Sequence, residues 1–301
     1  MVKNDRISRR MMSAHKLQMA GAGFLVVAAL FAPLQASASA PQGDPNYQPT
    51  VGQEGKDVVW VPTSQALVNQ MLDLAKLTPK DILIDLGSGD GRTVITAAQR
   101  GSTARGVEYN PDMVAISRKA AQDAGVSNRA TFIQGDIFQT NFSDADVLTL
   151  FLLPSLNVKL RPTILDMKPG TRVVSNSFAM GDWEADQSIN VTEGCTSYCT
   201  ALLWIVPAKV QGTWKLGGQK LELNQMYQMV QGRLQNGGKT TEITDARMNG
   251  DKIEFKVNGQ HYLGKVEGDK MGGMIDGKQV WAAVRESTDV ASGPSKPWFN
   301  K

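Results

Sequence analysis

Residues 81–95 read DILIDLGSGDGRTVI: an apolar run, an aspartate, then Gly87, Gly89 and Gly91 alternating with Ser88 and Asp90. A short apolar run closed by glycines and followed by a helical pattern is a buried strand turning into its helix. Gly87 and Gly89 allow a tight turn and let a ligand approach with no Cβ in the way. Gly91 lets the helix pack close to the sheet. The start of that helix offers free N–H donors to a polar ligand group. The order is Gly-x-Gly-x-Gly directly behind an acid, not the Gly-x-Gly-x-x-Gly of pyrophosphate binders. Asp85 and Asp90 make the loop acidic, so it repels an anionic pyrophosphate and suits a cationic or zwitterionic ligand. Glu108, in RGVEYN, follows Asp85 by 23 residues and stands where a ribose-binding carboxylate is expected.

The pattern around this loop is an alternation of strands and helices. Strands are expected at Ile82–Leu86, Ala104–Tyr109, Ala130–Gln134, Val147–Leu153 and Arg172–Ser177. Helices are expected at Arg92–Arg100, Asp112–Ala124 and Val158–Met167, and Ser64 caps an earlier one with Leu67, Met71, Leu74 and Ala75 on one face. The continuous apolar runs suit a parallel sheet covered on both faces. SINVTEGCTSYCTALLWIV, residues 188–206, reads as an antiparallel pair ending that sheet. After Pro207 helical periodicity disappears. Gly217-Gly218, Asn236-Gly237, Asn249-Gly250, Asn258-Gly259 and Asp276-Gly277 punctuate short alternating segments such as KIEFKV and HYLGKV. That spacing predicts a β-meander or small barrel of about six to eight strands. Its expected role is a stabilising appendage, with binding of substrate, cell wall or a partner as the other reading.

The domain reading is a signal segment at 1–38, a flexible linker at 39–58, an α/β domain at 59–207, a β-rich domain at 208–287 and a loose tail at 288–301. The first 38 residues carry Lys3, Arg6, Arg9, Arg10 and Lys16 against Asp5, then an apolar run to Leu34 and the small-residue pattern Ala36-Ser37-Ala38. This is the anatomy of an export signal. An uncleaved membrane anchor is the alternative, and Arg9-Arg10 partly fits a twin-arginine signal. With this segment and its net +4 set aside, the overall net charge of +3 falls to about −1, so charge gives no support for a nucleic-acid partner. Cys195 and Cys199 are the only cysteines, an even count that suggests a disulfide in an exported chain, with two free thiols as the alternative. His15 and His261 are the only histidines, so histidine metal sites and Ser–His–Asp or Cys–His catalysis are excluded for residues 41–207 and no metal is expected.

Four stretches, VWVPTSQALVNQML (59–72), DLGSGDGR (85–92), FLLPSLN (151–157) and TRVVSNSFAMGDW (171–183), together carry a resemblance. The chain resembles the class I S-adenosylmethionine-dependent methyltransferases across residues 59–206. Within them it is similar to the small mitochondrial-type lysine methyltransferases that modify the c-ring protein of ATP synthase and the ADP/ATP carrier, and to their bacterial relatives. The resemblance implies a Rossmann-like sheet of seven strands with the last pair antiparallel, and S-adenosyl-L-methionine as cofactor. It places Asp85, Gly87 and Gly89 at the methionine end, Glu108 at the ribose, and Asp136 and Ile137 of QGDIF beside the adenine. LTLFLLPSLN would face the transferred methyl. A protein lysine is the implied acceptor, and an exported binding protein that keeps the nucleoside pocket without turnover is the alternative.

Several residues carry two readings. Asp136 either contacts cofactor or caps a short helix. Tyr109 is contact or core, and Leu153-Pro154 either lines the methyl pocket or ends a strand. Trp60, Pro62 and Thr63 form a lid or a structural strap. Met180, Trp183 and Trp204 are expected to be packing. No residue identifies itself as a general base.

Overall fold

The computed structural model describes residues 43–289. Residues 1–42, on which the expected export signal falls, and residues 290–301 lie outside the described residues. Four helices and seven strands build the first layered unit: α1 (Gln65–Leu74), β1 (Ile82–Leu86), α2 (Arg92–Gln99), β2 (Thr103–Glu108), α3 (Pro111–Asp123), β3 (Ala130–Gln134), β4 (Val147–Leu150), α4 (Pro154–Leu165), β5 (Arg172–Asn176), β6 (Gln187–Asn190) and β7 (Thr200–Ile205). The strand order is β3-β2-β1-β4-β5-β7-β6. The first five strands run parallel, and β7 and β6 are antiparallel. This is the expected Rossmann-like methyltransferase sheet.

Alternation along each strand divides the core into two layers. Leu83, Ala104, Phe132, Val147, Val174 and Leu203 face α1, α2 and α3. Ile84, Leu86, Val107, Leu148, Leu150, Val173 and Trp204 face α4 and the chain around Met180 and Trp183. Both faces are covered, which is why these strands read as unbroken apolar runs. Met180, Trp183 and Trp204 are buried packing residues, as expected. Ser64 caps α1, its hydroxyl accepting from the Leu67 N–H at 3.2 Å. At β4 the strand stops at Leu150 and α4 begins at Pro154, earlier than expected. Proline suits the first helical turn because that turn needs no N–H from it and its φ is already helical.

Residues 212–287 form the β-rich part: β8 (Gly212–Leu216), β9 (Gln219–Met226), β10 (Met229–Asn236), β11 (Lys239–Glu242), β12 (Thr244–Asn249), β13 (Lys252–Val257), β14 (Gln260–Glu267), β15 (Lys270–Ile275) and β16 (Gln279–Ser287). Neighbouring strands are antiparallel. β16 returns to pair with β8, and β10 pairs with both β9 and β12, so eight strands close into a barrel while β11 extends β10 outside the ring. Side chains fill the interior. Phe255 stacks on Tyr262 at 4.7 Å, and Trp281 meets Phe255 edge-on at 5.7 Å.

The barrel is fixed to the α/β unit through Trp183. Its ring stacks on Tyr227 at 5.7 Å, and its Nε1–H donates to Gln228 Oε1 at 2.8 Å. Gln228 in turn donates to the Glu184 carbonyl at 2.8 Å, and Arg247 pairs with Asp186 at 2.5 Å.

Residues 43–58 depart from the linker expectation. The Trp60 N–H donates to the Gln53 carbonyl at 2.9 Å, the Gly52 N–H donates to the Trp60 carbonyl at 2.8 Å, and Glu54 bridges Val59. The Asp44 N–H donates to Asp112 Oδ1 at 2.9 Å, tying the segment to α3. It is a hydrogen-bonded strap rather than a leader, because its backbone groups find partners both within it and far along the chain.

Candidate functional site

A cavity of about 400 Å³ opens at the carboxyl ends of the parallel strands, where open α/β sheets bind ligands and within the size range of small-molecule sites. Asp85, Gly87, Gly89, Glu108, Asp136 and Ile137 all line it. The structure therefore brings the six expected site residues together, from three different chain segments.

The glycine loop is held from below by β2. The N–H groups of Gly87 and Ser88 both donate to the Val107 carbonyl, at 2.8 and 3.0 Å. Gly89 has a φ of +54° and lies under Trp60, whose Nε1 would be 2.6 Å from any Cβ there. Gly91 has a φ of +81° and precedes α2, and a Cβ on it would come within 2.7 Å of the Phe132 ring. That is the close helix–sheet approach the sequence implied.

Three carboxylates surround the loop, each in a different state. Asp85 is 7 % exposed and accepts from the Thr149 hydroxyl at 2.6 Å, with no cationic side chain among its hydrogen-bond partners. Burial pushes its pKa up to about 7, against the opposing Thr149 hydrogen bond and with help from the charges of Glu108 and Asp90. Glu108 accepts from the Gly89 N–H at 2.9 Å and the Asn110 N–H at 3.0 Å. Burial raises its pKa as well, against those backbone hydrogen bonds. Asp90 differs from expectation. It is bound by the Arg92 guanidinium through Nε at 3.0 Å and through the terminal nitrogen at 2.5 Å, so its charge is already paired. The acidity open to a ligand belongs to Asp85 and Glu108.

Asp136 caps a turn where a short helix was expected, and it also lies at the cavity. Its Oδ1 accepts from the Phe138 N–H at 2.9 Å, in the turn after β3. Lys56 reaches over from the strap to pair with it at 2.6 Å, and that hydrogen bond holds the Asp136 pKa below the usual carboxylate value. Lys56 also sits 4.9 Å from the centre of the Tyr109 ring, and Tyr109 is exposed rather than core. Trp60, Pro62, Thr63 and Leu153 line the same cavity.

The residues missed in the sequence are Lys56, Phe178 and Tyr198, which also line the cavity. Lys56 lies in a polar stretch with no periodic signal. Tyr198 lies between the two cysteines, which form a disulfide with Cα atoms 5.8 Å apart.

The arrangement fits S-adenosylmethionine. A buried carboxylate without a cationic partner awaits a positive group, a second carboxylate stands at the end of β2 for hydroxyls, and apolar side chains lie between β4 and β5.

Comparison of the sequence with known families and relatives agrees with this fit. Residues 85–187 match the ANTKMT methyltransferase domain. A protein-lysine N-methyltransferase of Saccharolobus islandicus is 38% identical over 152 residues, covering 50% of this chain and 94% of the relative. The adenine nucleotide translocase lysine N-methyltransferase of Mus musculus is 34% identical over 129 residues, covering 42% of this chain and 56% of the mouse protein. A crystal structure of an RNA methyltransferase from Salinibacter ruber in complex with S-adenosyl-L-homocysteine shares 43% identity with a TM-score of 0.47, covering 50% of this chain and 96% of that one. The chain belongs to the ANTKMT-type family of S-adenosylmethionine-dependent methyltransferases.

Proposed function

We propose that the protein methylates the ε-amino group of a lysine on a protein acceptor. The observation that carries this reading is the cavity itself: buried Asp85 without a cationic partner at one wall, and an apolar wall of Leu150, Phe151 and Phe178 at the other. The named function of the Saccharolobus relative supports the choice of lysine.

Asp85 receives the positively charged methionine end of the cofactor, the glycine loop accommodates its backbone-like portion, and Glu108 takes the ribose hydroxyls. Asp136 and Ile137 flank the base. Bound S-adenosylmethionine supplies a methyl group already activated for transfer. The protein's task is then to hold the acceptor nitrogen in line at close range and to keep water away. A lysine with its ordinary pKa near 10.4 enters mostly protonated and without a free lone pair. The apolar wall favours the neutral amine by withholding solvent, and the displaced proton leaves to water at the open mouth. This division of labour requires no general base, and among the described residues the only histidine is His261 in β14.

We also propose that the protein works outside the cytoplasm, directed there by residues 1–38. The Cys195–Cys199 disulfide supports this, since disulfides persist in oxidising compartments.

The test supplies the full chain with S-adenosylmethionine carrying a labelled methyl, together with poly-L-lysine and transfer RNA. Label is expected on lysine Nζ of the polypeptide, read by mass spectrometry. Label on the RNA alone, or on neither, contradicts the reading.

A further inference from the structure

Three aromatic rings stand together at the cavity wall: Phe151 after β4, Phe178 after β5 and Tyr198 before β7. Their centroids are 5.3 Å (Phe151–Tyr198), 5.7 Å (Phe178–Tyr198) and 6.0 Å (Phe151–Phe178) apart. They occupy the half of the carboxyl edge away from Glu108 and Asp136. In the strand order, β2 and β3 lie on one side of β1, whereas β4, β5 and β7 lie on the other. The cluster is not sealed core. Phe151 and Phe178 are half-buried, and Tyr198 is 45% exposed.

Each ring is held differently. Phe151 follows directly from the central strand β4. Phe178 is placed by Asn157 of α4, whose amide donates to the Phe178 and Ala179 carbonyls at 3.1 and 3.3 Å. Ser177 before it has a φ of +58°, and its N–H donates to the Thr200 carbonyl at 2.7 Å. Tyr198 has a φ of +53°, a conformation a tyrosine adopts only when its surroundings impose it. Tyr198 lies inside the covalent ring closed by Cys195 and Cys199. A backbone hydrogen bond from the Val191 N–H to the Cys199 carbonyl anchors the far end of the loop to the β6–β7 hairpin at 2.8 Å.

We propose that Phe151, Phe178 and Tyr198 form the seat for the acceptor side chain, packing along its methylenes, and that the Cys195–Cys199 disulfide holds Tyr198 in place, so that acceptor recognition depends on the oxidation state of this pair. The proposal rests on the lysine reading above. A lysine stem is four methylenes carrying a polar head, and such stems are buried along apolar surface while the head stays free. The three rings pack against one another at 5.3–6.0 Å and present one continuous apolar face at the cavity, along which such a stem can lie. Reduction takes two electrons from a thiol reductant such as dithiothreitol, which becomes its cyclic disulfide, and leaves two protein thiols. Tyr198 is then released from its imposed backbone conformation and the seat loses a wall. The cysteines are positioning residues, acting through Tyr198.

The test measures binding of S-adenosylhomocysteine, binding of poly-L-lysine to the protein loaded with it, and KM and kcat for methylation of poly-L-lysine. Full-length wild type, Tyr198→Ala, Tyr198→Phe, Phe178→Leu and the Cys195→Ser/Cys199→Ser double variant are compared, with wild type also assayed after reduction and reoxidation. Loss of packing on one or two methylenes predicts a roughly tenfold rise in KM and in the dissociation constant of poly-L-lysine for Tyr198→Ala, for Phe178→Leu, for the double serine variant and for reduced wild type. S-adenosylhomocysteine affinity stays near wild type, kcat of the double serine variant and of reduced wild type stays near that of the oxidised protein, Tyr198→Phe retains the seat, and reoxidation restores KM. An unchanged KM in Tyr198→Ala with wild type active overturns the seat. An unchanged KM after reduction overturns the dependence on the disulfide. If wild type binds S-adenosylhomocysteine but neither binds nor methylates poly-L-lysine, the lysine reading falls, and the seat falls with it.

Discussion

Asp85 is the residue on which the proposed cofactor placement rests. Its carboxyl is buried beside Thr149, and its pKa is pushed up to about 7 from its ordinary 3.8. Between those values the folded chain holds a proton that the unfolded chain has released. Its contribution to stability is therefore full below about pH 4 and is lost as pH rises toward 7, at about 1.4 kcal/mol per pH unit across that window. Thermal unfolding of the cofactor-free protein should show this decline, and Asp85→Asn should flatten it. A wild-type curve that is flat over the same range would contradict the assignment. The place of Asp85 and Glu108 at the cavity was legible in the sequence because a glycine loop behind an acid, and a second acid at the end of the next strand, have a local chemical logic. The pairing of Asp90 with Arg92 was not legible, since spacing does not reveal which way two neighbouring side chains turn.

At the scale of elements, the strap is the part whose sequence misleads most. Residues 43–58 are polar and rich in glycine and glutamine, and nothing local distinguishes them from a leader. Their order comes from contacts with α3, with the glycine loop and with the turn after β3. Lys56 closes the last of these by pairing with Asp136. The pair is partly exposed, so its own contribution to stability is small. Its effect should appear in cofactor exchange. Lys56→Ala is expected to speed cofactor dissociation by a few-fold in stopped-flow fluorescence while leaving the melting temperature nearly unchanged. A fall in melting temperature with unaltered dissociation would assign Lys56 to the fold instead of the strap. The sheet elements were readable to within a few residues because burial on both faces makes each strand a continuous apolar run. The β4–α4 boundary was displaced because that run continues through Leu152 and Leu153 to Pro154, past the last strand hydrogen bond.

At the scale of the whole molecule, a methyltransferase sheet and a closed barrel meet around a buried indole, with the Gln228–Glu184 and Arg247–Asp186 contacts beside it. Trp183 is fully buried, stacks on Tyr227 and donates to Gln228. Trp183→Ala removes that packing and leaves the Gln228 acceptor without its donor. It should destabilise the protein by about 3–5 kcal/mol and separate one unfolding transition into two, as followed by calorimetry. A single transition at the wild-type temperature would show that the barrel is fixed by other contacts. The turn dipeptides announced a β-rich segment of about the right strand number. They left a meander and a small barrel as alternatives, and the structure decides for the barrel: β16 meets β8 across the length of the barrel sequence while β11 leaves the ring.

The most direct measurement is calorimetric titration of the full chain with S-adenosylmethionine about one unit below and one unit above the Asp85 pKa of about 7, beside Asp85→Asn. If Asp85 receives the cationic end of the cofactor, wild-type affinity rises with pH across this interval. The variant then binds roughly ten- to a hundredfold more weakly at the higher pH and loses the pH dependence. Equal affinity in the two proteins at both pH values would contradict the placement of the cofactor on which the account rests.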